Sequence, residues 1–215
     1  MNYMKDFPFF TTQHGVASLV LKQIPYTGKA YITLRDSSAP EKLLEECRDF
    51  CLAVGARSVL ATGNSCVEKY PYHISVILMR SMREQLPDTD VSLFPVQNDT
   101  LERFREIYNC GMKNVDNAAY MSLSEANKVL SDGNGYFVHS NGKLLGVGIA
   151  GGERIDAIVA VEPGCGKDVV LALNHALAGT CVEVEVASTN LRAIRLYERL
   201  GFVCCKELSK WYKII

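Results

Sequence analysis

Near the C-terminus, the run Asn190-Leu191-Arg192-Ala193-Ile194-Arg195-Leu196-Tyr197-Glu198-Arg199-Leu200-Gly201-Phe202 holds an amide and a phenol at a helical spacing. The run predicts a short helix, with Thr189 or Asn190 as cap and Gly201 ending it in a left-handed conformation. A helix turns about 100° per residue, so Asn190 and Tyr197 fall roughly 20° apart on one face, about two turns from each other. That face offers a hydrogen-bonding group and a group that carries a proton at neutral pH. The same run also reads as an amphipathic helix in which Ala193, Ile194, Leu196 and Leu200 bury a stripe and Tyr197 is a core aromatic.

The elements that must position this helix alternate from about Val91 onward. A strand is expected over Val91 to Val96 and a helix over Thr100 to Met112, where Leu101, Phe104, Ile107 and Tyr108 share a face. Ser122 to Leu130 reads as a second helix, with Ser122 or Ser124 as cap and Glu125 in its first turn. Tyr136 to Ser140 and Leu144 to Ala150 flank Asn141-Gly142, a hairpin signal. Gly151-Gly152 turns into a strand over Ile155 to Val161, followed by a helix from about Lys167 to Ala178 and a strand over Cys181 to Ala187. The helix at Asn190 and a strand from Phe202 to Lys213 complete the order.

The first 90 residues carry their own pattern. Strands over Val16 to Gln23 and Lys29 to Leu34 can pair around Pro25-Tyr26-Thr27-Gly28. Ser38 and Pro40 open a helix that carries Leu43, Leu44, Cys47, Phe50, Cys51 and Val54 on one face and ends at Gly55. Short strands follow at Ser58 to Ala61 and His73 to Met79.

With 215 residues and 48% hydrophobic content, the chain can bury a core as one large domain or two small ones. A formal net charge of -1 gives no footprint for nucleic acid or an anionic membrane surface. The start of the chain, with Lys5, Asp6 and Pro8, lacks a signal-peptide pattern, and no segment is long and apolar enough to span a bilayer, so a cytoplasmic location is expected. The eight cysteines show no paired C-x-x-C spacing and most of them read as buried thiols; no metal is expected, although Cys47 and Cys51 stand four apart.

The pattern N-x-x-A-x-x-L-Y-E-x-x-G-F at Asn190 to Phe202 resembles the motif near the C-terminus of the GCN5-related N-acetyltransferase (GNAT) superfamily. The resemblance implies an α/β (α+β) fold with a mixed, mostly antiparallel central sheet, flanked by helices and splayed between two central strands. It implies acetyl-CoA as cosubstrate and direct acetyl transfer to a primary amine of a small molecule or peptide, by a monomer or homodimer. A degenerate CoA-binding or interaction module with the same fold is the alternative. Residues 91–215 would form the acetyltransferase domain. Residues 1–90 would form an incomplete N-terminal copy, in which Asn64 to Tyr72 stands where the final helix is eroded; an unrelated extension packed on the sheet is the competing account.

By the same resemblance, Asn190 and Ala193 touch the pantetheine arm, and Tyr197 protonates the departing thiolate. Backbone N–H groups at Val159, Ala160 and Val161 receive the oxyanion. The pyrophosphate falls on the loop Gly164, Cys165, Gly166, Lys167, Asp168 and Val169, where free amides and the helix dipole favour an anion. This loop departs from the family's R/Q-x-x-G-x-G/A, with Cys165, Asp168 and Val170 at its three fixed positions. Asp156, and after it Glu153, are the candidate bases, acting directly or through water. Asn117, Tyr120 and Met121 stand in the segment that borders the acceptor, and Trp211 and Tyr212 either line an acceptor pocket or pack in the core.

Overall fold

Gly15 makes the first turn possible: its φ of 146° and its closeness to the backbone of Asp36 and Ser37 leave no room for a side chain. In the computed structural model, which describes residues 8–215, this turn joins β1 (Phe9–Thr12) to β2 (Gly15–Val20). β1 was not expected from the sequence. The residues through Lys5 and Asp6, which bear on the signal-peptide reading, lie outside the described ones.

The chain divides into two compact units. The first comprises the residues up to Ser75 together with Leu208–Ile215; the second is Val76–Glu207. The division thus falls before residue 90, and the C-terminal residues return to the first unit.

In the first unit, β2 pairs antiparallel with β3 (Lys29–Ser37), and Pro25 to Thr27 lie in a single helical turn, α1 (Ile24–Thr27), closed by Gly28. α2 (Pro40–Ala53) then crosses to β4 (Ser58–Thr62), parallel to β3. Ser38 does not cap α2; Ala39 takes that place with Pro40 opening the helix, and the Ala39 N–H donates to Ser37 Oγ at 3.1 Å. β3 and β4 stay in register from Lys29↔Ser58 to Thr33↔Thr62, the whole length of β4. The segment after β4 forms a short 3-10 turn, Ser65–Lys69, capped by Asn64. Apolar side chains from these elements, among them Leu19, Ile32, Leu43, Leu44, Cys47 and Val59, make one core. Cys47 and Cys51 belong to it, and burial pushes their thiols up to about 12 and about 11, but they are the only buried cysteines: Cys66, Cys165 and Cys181 are half-buried and Cys110, Cys204 and Cys205 are exposed, against the expectation of mostly buried thiols.

Two strands are shared between the units. β5 (Tyr72–Met82) enters the second unit at Val76, and β11 (Val203–Lys213) leaves it after Glu207 to pair with β4 through Tyr212↔Ala61 and Lys213↔Leu60. Tyr212 packs against the first core, and Trp211 donates from Nε1 to Ser209 Oγ at 2.9 Å and meets Tyr31 edge-on.

The second unit adds β6 (Ser92–Pro95), α3 (Leu101–Met112), α4 (Leu123–Asp132), β7 (Gly135–Ser140), β8 (Lys143–Gly151) and β9 (Arg154–Ala160). α5 (Gly166–Asn174), β10 (Cys181–Ala187) and α6 (Leu191–Arg199) follow. Its strands run β5-β10-β9-β8-β7-β6, antiparallel throughout except for the parallel pair β9–β10. Ser122 and Glu125 cap α4 reciprocally, a capping box. Asn141 and Gly142, both at positive φ, close the β7–β8 hairpin as their residue types predict. α5 stops at Asn174 instead of Ala178, because Arg83 holds the helix end: it donates to Asn174 Oδ1 at 3.1 Å, Asn174 O at 2.8 Å and Gly179 O at 2.9 Å.

Helix-to-sheet packing places the site. Gly146 and Gly148 leave room for Val169 and Leu173 of α5 on one face of β8, and Gly111 lets α3 close on Val159 of β9 on the other. No helix among the described residues is long and apolar enough to cross a membrane.

Candidate active site

β9 and β10 pair only through Arg154↔Glu183 and Ile155↔Val184. Beyond that point β9 stays bonded to β8 as far as Ala160, and β10 to β5 as far as Ala187, so each strand follows its outer neighbour and the two diverge. The opening is a cleft of about 870 Å³. Its walls are the ends of β9 and β10, the loop after β9, the last turn of α3 at Gly111 and Met112, and one face of α6.

The divergence begins at a β-bulge. Ala157 faces Ile149 and Ile155 faces Ala150, which leaves Asp156 without a partner residue on β8. Asp156 lines the cleft there, with an ion pair to Arg154 at 2.8 Å; the same guanidinium reaches Glu185 at 2.9 Å across the opening. Tyr108 of α3 is close enough for the Asp156 charge to act on it: burial first, then the carboxylates of Glu125 and Asp156, raise its phenol to about 12. Glu153 sits in the turn before β9, against Gly179, outside the cleft lining.

Strand alternation decides which amides face the opening. Val161 N–H donates to Leu145 O at 3.0 Å, so Val161 and, two residues back, Val159 direct their polar groups at β8. Ile158 and Ala160 direct theirs into the gap. All of Val159, Ala160 and Val161 line the cleft, but only Ala160 among them offers it an N–H; Ile158, absent from the sequence-based set, is the second donor. Parity of this kind needs the register with β8, which sequence alone does not supply.

The loop after β9 turns at Gly164, with φ of 96°, into α5. The first helical hydrogen bond runs from Val169 N–H to Cys165 O at 3.0 Å, so the amides of Gly166, Lys167 and Asp168 head the first turn without helical partners. Gly164, Gly166 and Lys167 line the cleft. Cys165, Asp168 and Val169 do not: Cys165 packs on the core, Val169 is fully buried in it, and Asp168 is half-buried in the first turn. Glu162, also on the loop, pairs with Lys143 at 2.6 Å.

Asn190 caps α6, its side chain accepting from Ala193 N–H at 3.2 Å, while Thr189 donates to Asp116 at 2.8 Å. Gly201, at φ 86°, follows the helix. Asn190, Ala193 and Tyr197 all line the cleft. Tyr197 is 7% exposed, stacked at a tilt on Phe202 at 5.5 Å, and burial raises its phenol to about 12. It is therefore a core aromatic and a cleft residue at once.

The segment between α3 and α4 contributes Val115 to the cleft. Asn117 stands in it with a left-handed backbone, φ 58°, and a buried Oδ1 that lacks a hydrogen-bond partner. Tyr120 receives a hydrogen bond from Arg105 at 3.3 Å, and Met121 is buried, its backbone held on both sides by the Asn109 side chain at 2.7 and 3.0 Å. None of Asn117, Tyr120 and Met121 lines the cleft. Glu185, Arg192 and Arg199 do, and the sequence reading passed over them because charged residues on exposed positions carry no spacing signal.

No family model matches the chain. No curated protein matches it either. Solved structures do. A functionally unknown conserved protein from Staphylococcus epidermidis aligns over 98% of this chain and 94% of its own, at 14% identity and a TM-score of 0.62. A GNAT-family acetyltransferase from Colwellia psychrerythraea aligns over 95% and 84%, at 12% identity and 0.54. A tandem GNAT protein from the clavulanic acid biosynthesis pathway aligns over 93% and 78%, at 12% and 0.53. With its mixed, mostly antiparallel sheet, flanking helices and the parallel pair β9–β10 that parts at its end, the chain has the fold of the GCN5-related N-acetyltransferases.

Proposed function

We propose that this chain is an acetyl-CoA-dependent N-acetyltransferase that moves an acetyl group directly to a primary amine of a small molecule or peptide. The observation that carries this reading is the parting of β9 from β10 after two residue pairs, with the N–H groups of Ile158 and Ala160 facing the opening and Tyr197 on its wall. The cleft suits a thioester tail in size, in its mainly apolar side walls and in its free strand amides.

Acetyl-CoA supplies an activated acyl group; the rest is positioning by the chain. Ile158 and Ala160 donate N–H groups to the thioester carbonyl, where negative charge develops as the amine attacks. Asp156, on the bulge where the strands part, receives the amine's proton directly or through a water. Tyr197 lies on the cleft wall with its phenol protonated, burial raising it to about 12, and its role in this reading is to hydrogen-bond the sulfur and protonate it as negative charge develops there. Gly164, Gly166 and Lys167 supply amides and one cation to the pyrophosphate. The acceptor enters from the side of the α3–α4 segment, where Met112 and Val115 line the cleft.

A second reading, a CoA-binding module without turnover, draws on Glu162 and Asp168, two carboxylates at the loop where phosphate would sit. The Lys143 ion pair offsets the first of them. Residues 1–90 read as an incomplete copy of the same fold: β3 and β4, its parallel pair, stay paired along all of β4 and do not part as β9 and β10 do. The tandem GNAT neighbour supports that arrangement. We place the activity in the cytoplasm, as a monomer or homodimer, without nucleic acid or membrane partners.

Incubation with acetyl-CoA and a panel of primary amines, followed by thiol detection, tests the activity. Amine-dependent release of free CoA is the expected result. Binding of acetyl-CoA with no release for any amine would favour the module.

A further inference from the structure

The cations at the cleft are in an unexpected place. α6 carries Arg192, Arg195 and Arg199 at a spacing of three and seven, which puts them on one exposed face. Arg192 and Arg199 line the cleft, and with Arg195 and Glu198 they also line an adjoining concavity of about 640 Å³. Among the described residues none of these arginines has an acidic partner; Arg199 Nε donates to Arg195 O at 3.2 Å, which leaves its two terminal nitrogens for other acceptors. Arg192 stands in the first turn of α6, where no acidic residue offsets it and the helix dipole opposes a cation. Two unpaired guanidinium groups on the rim of a cleft, one of them at a helix start where the dipole gives it no support, are available to an anionic ligand.

The loop across the cleft cannot take that anion's full charge, since Lys167 is its one cation beside Glu162 and Asp168. We propose that Arg192 and Arg199 form a phosphomonoester site at the cleft rim, and that it makes the chain select acyl donors whose nucleotide end bears a 3′-phosphate. This rests on the acetyltransferase reading and adds to it a specificity determinant on α6. A phosphomonoester dianion accepts from two guanidinium forks at once, while the pyrophosphate diester meets the uncharged amides at the head of α5.

Isothermal titration of the full chain with CoA and with 3′-dephospho-CoA, at one fixed salt concentration, tests the proposal. CoA should bind at least about ten-fold more tightly, as expected for charge-assisted pairs at a solvent-facing rim. In the R192Q/R199Q variant that preference should vanish through weaker CoA binding, with 3′-dephospho-CoA affinity unchanged. Equal affinities in the unsubstituted chain, or a preference that survives in the variant, would overturn the site while leaving the acetyltransferase reading intact. Failure of both ligands to bind would remove that reading and the site with it.

Discussion

Tyr197 is one side chain that packs in the core and, in the proposed reading, also does chemistry. It is buried beside Phe202, yet it lines the cleft, and burial raises its phenol to about 12. Replacing it with Phe keeps the ring and removes the proton, so Tyr197→Phe should lower kcat by about 100-fold or more while acetyl-CoA affinity changes by less than about threefold. Steady-state rates beside a binding titration check this, and unchanged kcat would remove the acid role. A second outcome concerns pH and stability. The Cys47 and Cys51 thiols are raised by burial above their unfolded value, so the stabilisation they reflect is complete below about pH 9 and fades as pH rises toward 11 and 12. Urea unfolding at a series of pH values should show a decline that begins above about pH 9. At this scale the sequence placed Asn190 and Tyr197 on one face through helical periodicity alone. It could not distinguish Ile158 from Val159, because the direction of a strand amide depends on which neighbour claims its partner two residues away.

Elements were legible wherever a local signal set their ends. Ser122 with Glu125 fixed the start of α4, Asn141-Gly142 fixed the β7–β8 turn, and Gly201 fixed the stop after α6. The end of α5 was not legible, because Arg83, far away in sequence, terminates the helix at Asn174. β1 was missed for the opposite reason: a short half-exposed strand has too little pattern to register. The glycines of β8 carry a prediction of their own. A Cβ at Gly148 would collide with Leu173 of α5 and press on Ala157 O at 2.9 Å. Gly148→Ala should therefore destabilise the fold by about 1–3 kcal/mol through overpacking. Ser122→Ala, which breaks the capping box, should cost about 1 kcal/mol. Chemical denaturation of each variant measures both; a Gly148→Ala variant as stable as the original would contradict the close approach of α5 to β8.

Across the whole molecule, the first compact unit is completed by chain from the opposite end of the sequence, and the second by a strand that lies before residue 91. The second unit needs Val76–Met82 of β5 beside β10, and the first needs Tyr212 and Lys213 of β11 beside β4. No local pattern announces such pairings, because strand partners this distant in sequence are chosen by topology. A fragment of residues 91–215 lacks the strand beside β10, so it should express as an insoluble or non-cooperatively unfolding chain, whereas the full chain should unfold cooperatively; a stable, soluble fragment would contradict the assignment of β5. The central claim is that the parted strands β9 and β10 hold a thioester donor. Isothermal titration of the full chain with acetyl-CoA tests it most directly. Saturable binding at one site per chain, lost when Ala193→Trp fills the cleft without unfolding the protein, is the result the structure predicts. Absence of binding to the intact, folded chain would contradict it.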